Sequence, residues 1–207
     1  MTPRPDMPPP PPAMILAGGR ATRMGGGDKP LMTLNGQSLL AMILARLAPQ
    51  AGPLALNANG DPARFDGFGL PVVADGVAGL PGPLAGVLAA MDWAASLGAA
   101  RVVTVAGDTP FLPPDLVAGL LRAAGPAGLA IAAGRDDAGL REHPVIGLWP
   151  VALRADLRAR LAAGDRRVRG FSGAHGAAVA EWDARGGDPF RNINTPEDLA
   201  RAEAEAR

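Results

Sequence analysis

The one lysine of this 207-residue chain is Lys29; the other nineteen basic side chains are all arginine. In so arginine-biased a sequence, a lone compact ammonium either reflects chance or marks a place where a guanidinium does not serve. Lys29 ends a glycine-rich stretch, Gly18-Gly19-Arg20-Ala21-Thr22-Arg23-Met24-Gly25-Gly26-Gly27-Asp28-Lys29. Glycines let a backbone pass close to a ligand and turn its amides towards anionic oxygens. Arg20, Arg23 and Lys29 add distributed positive charge, and a triphosphate needs both. The segment is not a Walker loop, because Asp28-Lys29-Pro30 stands where Gly-Lys-Ser/Thr is required. The Gly-x-Gly-x-x-Gly of dinucleotide folds is also absent there. A P-loop GTPase and a dehydrogenase are therefore disfavoured.

Further chemistry lies downstream. Gly107-Asp108-Thr109-Pro110 follows the most apolar strand candidate. A carboxylate there suits a hard cation such as Mg2+ bridging phosphate oxygens. Asp before Thr-Pro also caps turns, so both roles are open. Asn57-Ala58-Asn59 and Asp75 end two more strand candidates. Amides and carboxylates there read a purine edge, and a carboxylate accepts from both the N1–H and the N2 amino group of guanine. Ordinary turn chemistry explains the same residues. His143 reads as a hydrogen-bonded structural residue rather than a catalyst.

Composition removes several other chemistries. There is no Cys, so disulfides, thiolate metal sites and thiol nucleophiles are excluded together. Two His leave no basis for a multi-histidine metal centre. Twenty basic and twenty acidic residues cancel, so bulk attraction to nucleic acid or an acidic membrane is unsupported. No apolar run approaches the ~20 residues of a membrane span. A cytoplasmic enzyme is the expected class.

These residues need a scaffold. Seven of the first twelve residues are Pro, which predicts a disordered or polyproline-like tail over 1–12 and one domain over 13–207. Apolar runs predict strands at 13–17, 53–58, 70–74, 101–106, 129–133, 145–149 and 177–182. Helical spacing predicts helices at 38–47, 84–97, 113–124, 151–162 and from Thr195 towards the C-terminus. Ser38 and Thr195 read as N-caps, and Pro196 as a first-turn residue. Strands alternating with helices predict an α/β fold: three layers, α/β/α, with a mostly parallel, Rossmann-like central sheet. Ligands in such sheets bind beyond the carboxyl ends of strands, here after Ala17, Ala58, Ala74 and Ala106.

With these motifs in place, the sequence strongly resembles the molybdenum cofactor guanylyltransferases. The resemblance rests on Leu16-Ala17-Gly18-Gly19, Arg23-Met24-Gly25-Gly26 and Asp28-Lys29. It continues through Gly107-Asp108-Thr109-Pro110, Gly82-Pro83-Leu84-Ala85-Gly86 and Asn192-Ile193-Asn194-Thr195-Pro196-Glu197-Asp198-Leu199. It implies a nucleotide-diphospho-sugar-transferase-like fold and transfer of GMP from GTP to molybdopterin, with release of pyrophosphate. It implies GTP contacts at Leu16, Ala17, Gly18, Gly19, Lys29, Asn57, Asp75 and Asp108. Arg23, Lys29 and Asp108 are then catalytic, with Asp108 the Mg2+ ligand. Gly86, Asn192 and Asn194 fall on the acceptor side. Arg166 and Arg167 meet the pterin's phosphate or form a solvated face. Molybdenum-insertion proteins and recipient molybdoenzymes or their chaperones are implied partners, with no nucleic acid and no membrane. The chain departs from the family in its Pro-rich tail, in Pro30 after Lys29 and in Arg191 before Asn192. Three rival functions stand beside this one. They are cytidylyl transfer in the same pathway, sugar-nucleotide synthesis and non-catalytic carriage of the cofactor with GTP. The first tends to read Leu-Ala-Ala-Gly where Gly18 stands here.

Overall fold

The computed structural model describes residues 9–18, 28–76 and 82–205. In chain order its regular elements begin with β1 (Ala13–Leu16), β2 (Thr33–Leu34), β3 (Gln37–Ser38), α1 (Leu39–Leu47) and β4 (Leu54–Asn57). Next come β5 (Val72–Val73), α2 (Pro83–Ser96), β6 (Arg101–Ala106), α3 (Leu116–Ala124), β7 (Ala130–Asp136) and β8 (Gly139–Pro150). The chain finishes with α4 (Arg154–Ala162), α5 (Val168–Ala174), β9 (Ala178–Asp183) and α6 (Pro196–Glu205).

Among the described residues, seven strands form one sheet in the order β5-β4-β1-β6-β8-β7-β9. β5, β4, β1 and β6 run parallel, β8 is antiparallel to both its neighbours, and β9 is parallel to β7. Period-2 alternation assigns each strand residue to one face. Ala13 and Ile15 of β1 pack with Leu40, Ile43 and Leu47 of α1 and Leu116 and Leu120 of α3. Met14 points the other way, into Val87, Leu88 and Met91 of α2, Leu157 of α4 and Phe171 of α5. Both faces are thus buried, which is why β1 reads as a continuous apolar run. One buried polar group on β6 is fully used. Thr104 Oγ1 donates to the Val145 carbonyl at 2.6 Å and accepts from Trp149 Nε1 at 2.8 Å.

Three differences from the sequence expectation have clear causes. Order extends back past Ala13: the Pro11 carbonyl accepts from Gly52 N and the Pro12 carbonyl from Val103 N, both at 2.9 Å. Proline lacks a donor, but its carbonyl can still accept from a neighbouring strand and so extend the start of β1. The strand expected at 145–149 is twelve residues long and starts at Gly139. Its first half is partly exposed and polar, so no apolar run announced it, and it forms a hairpin with β7. The β2–β3 hairpin, not expected, turns at Asn35 (φ 50°) and Gly36 (φ 79°), the pair that a two-residue turn of this hand favours.

The Ser38 hydroxyl accepts from Ala41 N at 3.1 Å, so the expected cap of α1 is present. Thr195 Oγ1 accepts from Asp198 N, while Asp198 Oδ2 accepts from Asn194 N and Thr195 N. This reciprocal cap starts α6. α6 then buries Ala202 against Leu34 and Leu39, with Ile193 in the same cluster.

Candidate active site

Register fixes the site. Leu16 of β1 lies opposite Asn57 of β4 and Ala106 of β6. The segments leaving these strands therefore emerge side by side. They line a cleft of about 360 Å3 with Gly18, Lys29, Asn57, Asn59, Asp75, Gly107, Asp108 and Asn192 among its walls. Three of the four strand ends expected to carry a ligand, after Ala17, Ala74 and Ala106, supply Gly18, Asp75 and Asp108. The fourth supplies Asn59.

On one wall, Lys29 Nζ lies 3.4 Å from Asp108 Oδ2, with the two side chains 19 % and 16 % exposed. Asn194 Oδ1 accepts a second hydrogen bond from the same ammonium. Burial pushes the Asp108 carboxyl above its ordinary value, against the pull of the Lys29 charge and hydrogen bond. Two backbone features hold this group. The Ile193 N–H donates to the Asp108 carbonyl at 2.8 Å, which stitches the segment before α6 to the end of β6. Pro30 is buried in a 3-10 turn, Lys29–Leu31. A Cβ on Gly107 would lie 2.9 Å from both the Pro30 ring and the Leu16 carbonyl. Pro30, an oddity in the sequence, thus packs on the bare backbone of Gly107, the residue before Asp108.

On the opposite wall, Asn57 Nδ2 donates to Asp75 Oδ1 at 2.9 Å and to the Val73 carbonyl at 3.1 Å. Asn59 Nδ2 donates to Asp75 Oδ2 at 2.7 Å. Gly86 stands under this amide: a Cβ there would be 2.5 Å from Asn57 Oδ1. The resemblance puts Gly86 on the acceptor side; in the structure the space a side chain would take there is filled by Asn57 and Leu16.

Leu16 lines the cleft, Ala17 is buried behind it and Asn192 is on the wall. Gly19, Arg20 and Arg23 lie outside the described residues. Arg166 and Arg167 are exposed and outside the cleft lining, Arg167 pairing loosely with Asp165 at 3.8 Å. His143 Nε2 meets Asp188 Oδ2 at 3.0 Å and its ring packs on Phe190. Burial lowers its pKa, so it is a neutral structural residue near pH 7. Arg191, the departure before Asn192, lays its guanidinium 4.4 Å from the Phe111 ring centroid.

Arg64 was not foreseen. Its Nε lies 2.8 Å from Asp28 Oδ2, an ion pair without hydrogen-bond alignment. Its Nη2 donates to the Asn59 carbonyl at 2.7 Å and its Nη1 to the Asp61 carbonyl. It thereby ties the end of the glycine-rich stretch to the Asn59 wall. No local pattern signals a pairing between residues so far apart in sequence.

Among the described residues no group of three His, Cys, Asp or Glu is placed to hold a metal, and no helix is long and apolar enough to cross a membrane.

Residues 13–179 match the family model described as the MobA-like NTP transferase domain. The chain is 56% identical over 192 residues to the molybdenum cofactor guanylyltransferase of Rhodopseudomonas palustris (strain BisB5), covering 90% of each. It is 52% identical over 188 residues to that of Cereibacter sphaeroides, covering 91% of this chain and 93% of the relative. Among solved structures it is similar to the molybdopterin-guanine dinucleotide biosynthesis protein A of Archaeoglobus fulgidus. That match has a TM-score of 0.68 and 22% identity, covering 94% of this chain and 98% of that one. It is also similar to the 2-C-methyl-D-erythritol 4-phosphate cytidylyltransferase of Thermus thermophilus, with a TM-score of 0.67, 22% identity and coverage of 96% and 99%. At that identity the two structures speak to the fold alone.

Proposed function

The chain belongs to the molybdenum cofactor guanylyltransferase family and is a nucleotidyltransferase; from that premise we propose how its cleft transfers GMP from GTP to the phosphate of molybdopterin. The observation that carries the reading is the pairing of two unlike walls across one cleft. A cation–carboxylate wall, Lys29 with Asp108, faces an amide–carboxylate wall, Asn57 and Asn59 with Asp75.

GTP lies with its base on the second wall, where the Asp75 carboxylate accepts from guanine. Leu16, Ala17, Gly18 and Gly19 bring backbone to the nucleotide. Lys29, joined by Arg23, neutralises the phosphates. A terminal phosphate oxygen of molybdopterin attacks the α-phosphorus and forms the new P–O bond. The bond from the α-phosphorus to its bridging oxygen breaks, and the electron pair leaves with pyrophosphate. The acceptor is already an anion, so no protein nucleophile or general base is required. Catalysis is positioning plus electrostatics. Asn192 and Asn194 lie on the acceptor side with the Asp108 wall.

Asp108 is the residue that would hold Mg2+. A mostly buried carboxylate just past a strand end, in no cluster of three such groups among the described residues, fits that ion, which takes one or two protein carboxylates and draws its other ligands from phosphates and water. Held there, Mg2+ would supply charge neutralisation to the triphosphate. Asp108 itself orients Lys29 towards the same oxygens. The absence of Cys suits a cytoplasmic enzyme; membership of the family adds molybdenum-insertion proteins, and molybdoenzymes or their chaperones, as the proposed partners.

Label position tests the reading. With GTP labelled at the α-phosphorus and molybdopterin as acceptor, the label is expected in the pterin dinucleotide and none in pyrophosphate. Label recovered only as free GMP, with or without acceptor, would overturn it.

A further inference from the structure

We infer that Asn59 is a specificity-determining positioning residue: it locks the Asp75 carboxylate in the one orientation that selects a base with two adjacent N–H donors. The inference rests on the guanylyl-transfer reading above and gives Asn59, there only a member of the second wall, a part in choosing the base.

Asp75 sits on the short segment after β5, where a free carboxylate would rotate about its side-chain bonds. Asn59 removes that freedom with two hydrogen bonds. Its Nδ2 donates to Asp75 Oδ2 at 2.7 Å, and its Oδ1 accepts from Asp75 N at 2.9 Å. Together these bonds fix which way the Asn59 amide faces. Turning it over would set oxygen against carboxylate oxygen and nitrogen against N–H. Asn57 holds the other oxygen, Asp75 Oδ1, and is itself anchored to the Val73 carbonyl. Arg64 Nη2 holds the Asn59 backbone through its carbonyl.

Each Asp75 oxygen therefore has one amide donor already in place and a further lone pair to offer. The acceptors left are a fixed pair on a single carboxylate. Guanine answers them with N1–H and the N2 amino group side by side. Hypoxanthine offers N1–H alone. Cytosine turns acceptor atoms, N3 and O2, towards the same carboxylate and is repelled. A site built around fixed hydrogen-bond groups rejects an analogue that leaves them unpaired, whereas a mobile carboxylate adapts to either.

Two variants separate this role from a structural one. Asn59→Asp keeps the shape and the acceptor for Asp75 N but removes the donor to Oδ2. Asn59→Ala removes both bonds. Pyrophosphate release with molybdopterin is measured with GTP and with ITP, which lacks the N2 amino group. Competition of the two nucleotides for binding is measured without acceptor, and circular dichroism reports folding. In each variant the wild-type preference for GTP over ITP is expected to shrink by about tenfold or more, in turnover and in binding alike. Equal losses with both nucleotides, an unchanged preference, or unfolding of both variants would overturn the inference. A wild-type enzyme active with GTP but equally active with ITP would overturn this inference alone. One that releases no pyrophosphate with GTP would overturn the reading beneath it.

Discussion

Lys29 Nζ and Asp108 Oδ2 stand 3.4 Å apart although 79 residues separate them in the chain. The pair shares its ammonium with Asn194, and the adjoining residues Pro30 and Gly107 are packed too closely to admit a Cβ on Gly107. A planar guanidinium is wider than an ammonium and spreads its donors in a fork. Lys29→Arg is therefore expected to lower kcat by about tenfold or more, with charge preserved. Steady-state pyrophosphate release checks this. Full activity in the variant would show that the site needs only a positive charge.

Asp108→Asn is expected to abolish turnover and to stabilise the fold. Burial raises the native pKa of Asp108 above 3.8, so the folded protein holds this proton more tightly than the unfolded chain. Wild-type stability then falls as pH rises from 3.8 through the raised native value, and levels off above it. The variant escapes that loss. Melting temperatures across that range should show its advantage growing and then holding constant at neutral pH. A variant less stable than wild type at neutral pH would instead assign Asp108 to holding the fold.

Asp198 should show the opposite sign. Its pKa is lowered, first by the Asn194 N–H, then by Thr195. The stability it gives is present above 3.8 and is lost as pH falls through the lower native value. Loss of such a cap costs about 1 kcal/mol. Asp198→Ala should therefore melt lower at neutral pH, with the gap closing in acid. Because Asp198 holds the backbone of Asn194, turnover should also drop several-fold. A gap that persists below the native pKa would contradict this.

Gly86→Ala would place a methyl 2.5 Å from Asn57 Oδ1 and 3.1 Å from Leu16 Cδ2. Asn57 is buried and tied to Val73 and Asp75, so relief must come from breaking those bonds. The expected outcome is a loss of about 1–3 kcal/mol in chemical denaturation and a raised KM for GTP. An unchanged KM for GTP, with only the KM for molybdopterin affected, would return Gly86 to the acceptor side.

The parts of this molecule that were legible in sequence share a physical property: they are local or periodic. β1 and β6 could be read because both their faces are buried, and Ser38 and Thr195 because caps use neighbouring residues. The ends of parallel strands told where a cleft must open, and Asp75 and Asp108 were placed on it. The first half of β8 was hidden because a half-exposed strand has no apolar run. Arg64 was hidden because an ion pair across 36 positions leaves no spacing to read. Pro30 looked like a disturbance of Lys29, since its partner, Gly107, is close only in the folded chain. The lone Lys29 was visible as a count, but its neighbours, Asp108 and Asn194, come from the segments just after β6 and just before α6.

Initial rates of pyrophosphate release, with GTP and CTP in parallel and with and without molybdopterin, test the central claim most directly. The account predicts release that requires molybdopterin and is much faster with GTP than with CTP. Release with GTP no greater than the no-acceptor control, or faster turnover with CTP, would contradict it.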